Sequence, residues 1–150
     1  MSLVKICGIT EEQEVEYVNE AGVDFMGMVM FFPKSKRNIT VEEASSLIKK
    51  LNPAVTSVAV TVEPTLDQIR EIEAAGIQMI QIHGDISEEL LQEIHIPVIK
   101  AFNVHDLSSY ETYHQANIVK GYIFDAQTPG SGKTFDSVSY THLRAHETRH

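Results

Sequence analysis

Short apolar runs alternate with amphipathic stretches along most of the chain. The runs are partly β-branched and begin about every 23 residues. Runs of this kind are typical of strands that are buried on both faces. They occupy residues 3–7, 24–30, 55–60, 78–82, 97–102 and 120–125. The pattern therefore predicts six buried strands.

The stretches between these runs carry helical signals. In residues 11–21, Val15 and Val18 form an apolar stripe, while glutamates fill the opposite face and the first turn. Gly22 follows, which is typical of the end of a helix. Similar patterns occupy 41–51 and 66–76, and weaker ones occupy 87–94 and 106–116. Alternating strands and helices predict an α/β fold with a parallel sheet.

Two architectures are built from such repeats. An open, doubly wound sheet of the flavodoxin type is complete within about 150 residues. A (β/α)8 barrel of the TIM type needs about 200 to 250 residues. Under the barrel interpretation the chain holds only about six βα units and forms an incomplete barrel. The repeat itself leaves both architectures open.

The last 14 residues, 137–150, differ in character from the rest. They hold three histidines and two arginines but little apolar periodicity, and no strand run is visible. We expect a partial barrel domain at 1–136 and a tail at 137–150 that is foreign to the fold. The alternative is a zinc site, because His142, His146 and His150 are spaced to line one helix face.

Composition and charge narrow the classes of function. The 150 residues are 43% hydrophobic and 22% charged, which is ordinary for a globular domain. A net charge of −9 argues against a broad grip on nucleic-acid phosphates. No stretch approaches the roughly 20 apolar residues of a membrane span, and the N-terminus lacks signal-peptide features. The single cysteine forms no intrachain disulfide, so we expect a reducing cytoplasm.

Polar side chains collect where the predicted strands end. Cys7 ends the first run, His83 follows the fourth, Asp125 ends the sixth, and a basic loop containing Arg37 follows the second. Parallel α/β folds place their active sites at the carboxyl ends of the strands, so we expect these groups to converge. Each also has a structural interpretation, such as a small buried hydrophobe for Cys7 or a solvated loop around Arg37.

The alternation of side chains along a strand adds to this picture. Lys5 shares a strand face with Cys7, and Gln81 shares one with His83, in runs that are otherwise apolar. Polar groups on one face and at one end indicate a common site. Lys100, in the fifth run, belongs either to that site or to a structural ion pair inside the barrel.

One tempting phosphate-binding motif fails. The segment GSGKT at 130–134 follows a strand and looks like a P-loop. The P-loop pattern requires a glycine at position 127, where the chain has Gln127. We therefore do not expect an ATP or GTP site.

Five motifs occur along the chain: KICGIT (5–10), GMVMFFPKSKRNIT (27–40), IQIHGD (80–85), VIKAF (98–102) and FDAQTPGSGKTFD (124–136). In this order and at this spacing they resemble the phosphoribosylanthranilate isomerases, a family of tryptophan biosynthesis. The resemblance covers about residues 3–136 and implies a (β/α)8 barrel. It also implies an Amadori rearrangement of N-(5-phosphoribosyl)anthranilate, an aminoaldose, to an aminoketose.

The resemblance also implies roles for individual residues. Cys7 matches the family's general base and Asp125 its general acid. Arg37 matches the contact to the anthranilate carboxylate, and His83 matches a histidine at the mouth of the site. The substrate is a small phosphosugar, and no cofactor or metal is implied.

The chemistry suits these residue types. An acid that protonates a ring oxygen must hold its proton near neutral pH, which for Asp125 requires partial burial. A thiol that removes a carbon-bound proton works best beside a positive group, and Lys5 is near Cys7 in the sequence. The family has two further strands whose loops hold the phosphate, and 137–150 does not resemble them. We therefore expect this chain to be inactive by itself and to associate through exposed edge strands.

Overall fold

The computed structural model describes residues 3–103, 106–125 and 139–143. Within these ranges there are eight strands and five helices. The strands are β1 Lys5–Cys7, β2 Phe25–Met30, β3 Asn38–Ile39, β4 Thr56–Val62, β5 Met79–His83, β6 Val98–Asn103, β7 Val119–Asp125 and β8 Ser139–Leu143. The helices are α1 Glu12–Ala21, α2 Val41–Ile48, α3 Leu66–Ala74, α4 Glu88–Gln92 and α5 Tyr110–Gln115.

The six predicted strands are confirmed as β1, β2, β4, β5, β6 and β7. They pair in parallel and in chain order. Every residue of β2 and β5 is buried, as the apolar runs predicted. The short β3 is an addition that pairs with the end of β2, beyond the stretch that pairs with β1.

The helices cover one face of this sheet. Apolar residues from all five helices pack into the same cluster as the outward side chains of the strands. The opposite face carries a smaller cluster made only of strand and loop residues, such as Val58, Val60 and Ile123. We call this second face the inner face. A doubly wound sheet has helices on both faces and reverses its strand order, so the flavodoxin-like alternative is not supported. The fold is a parallel half-barrel, as an incomplete (β/α)8 barrel requires.

Local signals explain where the helices begin and end. Thr40 and Thr65 cap α2 and α3, and the hydroxyl of each accepts a hydrogen bond from the backbone N–H three residues on. Gly22 ends α1 in the left-handed conformation, with φ of 67°, as predicted. In a parallel βαβ unit the two threonine caps lie toward the carboxyl edge of the strands, and Gly22, which ends α1 before β2, lies toward the amino edge.

The tail expected at 137–150 contains a strand, although no strand run is visible in its sequence. Residues Ser139–Leu143 form β8, which pairs with β7 in antiparallel orientation. The sequence prediction missed it because a short strand on a sheet edge needs no apolar run, only a partner with unpaired backbone groups. β8 adds no parallel unit to the barrel.

Two related expectations change with it. The sixth predicted strand, β7, was expected to have an unpaired edge, but β8 occupies that edge. His142 lies in β8, so it does not lie on a helix as the zinc alternative required. His146 and His150 lie outside the described residues. The outer edge of β1 is the end of the strand order in the part of the chain that the structure describes.

Candidate active site

Lys5 and Cys7 lie on the inner face of the sheet, beside Gly27. Cys7 is paired with Gly27 of the neighbouring strand and packs against the inner cluster. A Cβ atom on Gly27 would stand 3.0 Å from Cys7 Sγ and 3.2 Å from Lys5 Cε. The missing side chain of Gly27 therefore provides the space in which the thiol and the lysine stem meet.

A chain of polar side chains crosses the inner face from β1 to β5. Lys5 Nζ donates to Gln81 Oε1, and Gln81 Nε2 lies 2.8 Å from His83 Nε2. Gln81 is 1% exposed and His83 is 5% exposed. Buried polar groups are stable only when they are hydrogen-bonded, so each member depends on its neighbour.

The electrostatics of this chain favour a neutral histidine. Burial, assisted by the positive charges of Lys5 and Lys100, lowers the pKa of His83 to about 3. Burial also lowers the pKa of Lys5, and the nearby Cys7 opposes that shift. At neutral pH His83 is therefore an uncharged imidazole that interacts with Gln81 through a hydrogen bond.

Arg37 lies against the loop that follows β1. Its Nη1 donates to the carbonyl oxygen of Gly8 over 2.9 Å and lies 3.9 Å from the carboxylate of Glu14. The side chain is 46% exposed, so the guanidinium remains open to solvent. The structure thus brings the basic loop after β2 to the residue directly following Cys7.

Asp125 ends β7, where its Cα pairs with Asn103 at the end of β6. Its backbone therefore lies at the same carboxyl edge as Cys7 and His83. The side chain of Asp125 lies outside what the structure describes, as does GSGKT at 130–134.

The expectation that Lys100 faces the barrel interior is wrong. Lys100 shares its strand face with Val98 and Phe102, which pack under the helices. Its Nζ stands 4.6 Å from the ring centre of Phe102 and 4.7 Å from that of Tyr113. Burial lowers the pKa of Lys100 to about 8, and Asp85 and Glu63 oppose the shift. Lys100 is a stabilising cation behind the sheet and does not line the inner face.

Sequence reasoning left two contributors without a role. Gln81 was placed on the face of His83, but its link to Lys5 joins strands that are not neighbours in the sheet. Gly27 had a signal, because a glycine inside a fully buried strand often marks a close approach of other groups. Local periodicity predicts neither the Lys5–Gln81 hydrogen bond nor the packing of Cys7 and Lys5 against Gly27.

Two features are absent from the described ranges. No helix there has the length and apolar character that crossing a membrane requires. No three His, Cys, Asp or Glu side chains in those ranges are grouped so as to hold a metal ion.

Comparison with protein families identifies relatives along nearly the whole chain. The family model of N-(5'-phosphoribosyl)anthranilate (PRA) isomerase matches residues 4–149. A curated N-(5'-phosphoribosyl)anthranilate isomerase from Streptococcus gordonii is 37% identical over 148 residues. That alignment covers 98% of this chain and 73% of the relative.

Solved structures give the same result. The crystal structure of phosphoribosyl anthranilate isomerase from Thermotoga maritima superposes with a TM-score of 0.74 at 37% identity, covering 91% of this chain and 68% of that one. A crystal structure of the isomerase in complex with reduced 1-(o-carboxyphenylamino)-1-deoxyribulose 5-phosphate has a TM-score of 0.67 at 36% identity. It covers 75% of this chain and 59% of that one.

The buried neutral His83 predicts a specific dependence of stability on pH. A histidine in the unfolded chain takes up a proton near pH 6.5, whereas the folded one resists until about pH 3. The unfolded state therefore binds more protons between these values. The free energy of unfolding should then fall on acidification through this window, by up to about 1.4 kcal/mol per pH unit from this group.

Denaturant unfolding at a series of pH values measures this contribution. His83→Gln should flatten the dependence between pH 6.5 and 4 relative to the unmodified chain. His95→Gln removes a histidine whose side chain is 72% exposed and serves as the control. Equal slopes in the His83→Gln variant and the unmodified chain would contradict a buried, neutral His83.

Proposed function

Because the chain belongs to the N-(5'-phosphoribosyl)anthranilate isomerase family, we propose that it supplies the acid, the base and the carboxylate contact of the Amadori rearrangement. The family is one of isomerases of tryptophan biosynthesis. The substrate in this proposal is N-(5-phosphoribosyl)anthranilate, and the product is 1-(2-carboxyphenylamino)-1-deoxyribulose 5-phosphate. The one observation that carries the assignment is the contact of Arg37 with Gly8, which brings a guanidinium beside the Cys7 loop.

The proposed reaction begins with Asp125 as general acid. It protonates the furanose ring oxygen, the bond from that oxygen to C1 breaks, and the nitrogen lone pair forms a C1 iminium ion. This cation acidifies the proton on C2. Cys7, as the thiolate, removes that proton, and the electron pair of the C–H bond neutralises the iminium to give an enolamine. Tautomerisation of the enolamine gives the aminoketose.

Arg37 suits the proposed contact with the anthranilate carboxylate. A guanidinium has five N–H donors in a planar fork, and the hydrogen bond to Gly8 and the ion pair with Glu14 are both made by Nη1. Donors on the other nitrogens can therefore meet a carboxylate in the bidentate geometry that such pairs favour. The proposed position of His83 is beside the substrate at the mouth of the same site.

Other parts of the proposal concern the setting of the reaction. The one cysteine and the biosynthetic family support a cytoplasmic location. The net charge of −9 supports a small molecule, and not nucleic acid, as the partner. We propose that the partial barrel domain ends at residue 136 and that the tail begins at residue 137. The outer edge of β1 is the surface through which the polypeptide would associate with itself.

We predict that the purified 150-residue polypeptide lacks isomerase activity. The described sheet holds six of the eight main parallel strands that a (β/α)8 barrel requires, and the relatives are longer than the region that matches them. Joining residues 1–136 to the C-terminal quarter of the Thermotoga maritima enzyme should restore turnover and a single species in light scattering. Full turnover by the 150-residue polypeptide alone would refute this prediction.

In that chimera, Cys7→Ser and Asp125→Asn should each lower the rate strongly without unfolding the protein. Loss of a positioned acid or base costs about 10²- to 10⁴-fold in rate. The measurement is kcat with substrate in excess, with circular dichroism to check the fold. Asp67→Asn, which alters an exposed carboxylate on α3, is the matched control. Near-full turnover in either test variant would remove that residue from its role.

Arg37→Ala in the chimera should raise KM more than it lowers kcat. Losing charge-assisted hydrogen bonds to a carboxylate costs about 10- to 100-fold in binding. Arg37→Lys should recover little, because a point charge replaces a planar fork. Arg70→Ala, which removes a guanidinium that pairs with Glu73 and Glu93, is the control. Unchanged KM in both Arg37 variants would exclude the carboxylate contact.

A further inference from the structure

The buried chain of Lys5, Gln81 and His83 has a direction that its donors and acceptors determine. Lys5 Nζ faces the amide oxygen of Gln81, and a carbonyl oxygen only accepts hydrogen bonds. The amide nitrogen of Gln81 then faces His83 Nε2 at 2.8 Å. An amide nitrogen only donates, so Nε2 accepts, and the imidazole proton is on Nδ1.

The surroundings disfavour a second proton on the ring. His83 is 5% exposed, and a charged imidazole there would lose its hydration. The neighbouring cations, Lys5 in front of the sheet and Lys100 behind it, repel a positive ring. The titratable groups around this position on the described elements are Lys5 and Cys7 on β1, Lys100 on β6, and Glu63 and Asp85 in the loops after β4 and β5.

We propose that Lys5 and Gln81 are positioning residues that hold His83 as a neutral imidazole with its proton on Nδ1. In this state His83 is uncharged at neutral pH and takes no part in proton transfer. Proton transfer is then left to Cys7 and Asp125. That assignment of proton transfer rests on the proposed function, whereas the protonation state itself does not.

Nuclear magnetic resonance of the ¹⁵N-labelled 150-residue chain tests the assignment directly. Long-range ¹H–¹⁵N correlation distinguishes the two imidazole tautomers. Through-bond ¹³C–¹⁵N correlation from the backbone amide of His83, in a doubly labelled sample, identifies this ring. We expect a protonated Nδ1, an unprotonated Nε2 and no titration between pH 7.5 and 5. A proton on Nε2, or a titration midpoint within that range, would overturn the proposal even if every variant failed to fold.

Two changes at Gln81 separate positioning from simple packing. Gln81→Glu keeps the shape but presents an acceptor to both neighbours, so His83 Nε2 must become the donor. The proton should move from Nδ1 to Nε2, and the titration midpoint should rise. Gln81→Leu removes both hydrogen bonds and should give a mixture of tautomers. Gln92→Glu, the same change on the exposed surface of α4, should leave the ring unaltered.

Lys5→Met tests the first link of the chain. Without the ammonium, the Gln81 amide loses the group that orients it, so we expect both tautomers of His83. A single Nδ1–H tautomer in Lys5→Met would show that Lys5 has no positioning role. These outcomes involve no turnover, so they are independent of whether Cys7→Ser and Asp125→Asn abolish activity in the chimera.

Discussion

Alternation of side chains along strands in parallel register is the constraint on which the other features depend. The register of β1, β2, β4, β5, β6 and β7 aligns neighbouring residues, so odd and even positions separate onto opposite faces. One face must bury apolar side chains under the helices. The other must fill a narrow interior, where any polar group needs a partner from another strand. A shift of one residue exchanges these two environments along a strand. One such shift occurs between β6 and β7, at Val98 and Ile99, and both Val119 and Tyr122 pack under the helices.

This constraint explains what periodicity predicted and what it missed. Runs such as 55–60 and 78–82 predicted buried strands because burial on both faces excludes polar residues from most positions. The helix stripe of Val15 and Val18 followed from the helical period. The prediction for Lys100 was wrong because the sequence does not show which residues of β6 face the helices and which face the interior. That depends on how β6 pairs with its neighbours. β8 was missed because its pairing with β7 depends on a distant partner and not on its own composition.

The candidate site was predictable as a set of residues but not as an arrangement. Cys7, His83 and Asp125 end strands of one sheet, so their backbones were expected at one edge. The contact of Arg37 with Gly8 joins residues 29 apart, and that of Lys5 with Gln81 joins residues 76 apart. The second contact depends on the curvature that brings β1 across from β5. Gly27 permits it by leaving space where a larger residue would crowd the lysine stem and the thiol.

The antiparallel pairing of β8 with β7 makes the growth of the sheet a competition between two strands. Residues 139–143 already use the backbone groups along that edge, so a parallel strand can pair there only after β8 has left. While β8 stays in place, it also keeps that edge from serving as a template for other chains. Completion of the barrel would therefore begin with a dissociation step. The rate of barrel completion would then be limited by the rate at which β8 detaches from β7. Above some concentration of the incoming strand, adding more of it would no longer accelerate assembly.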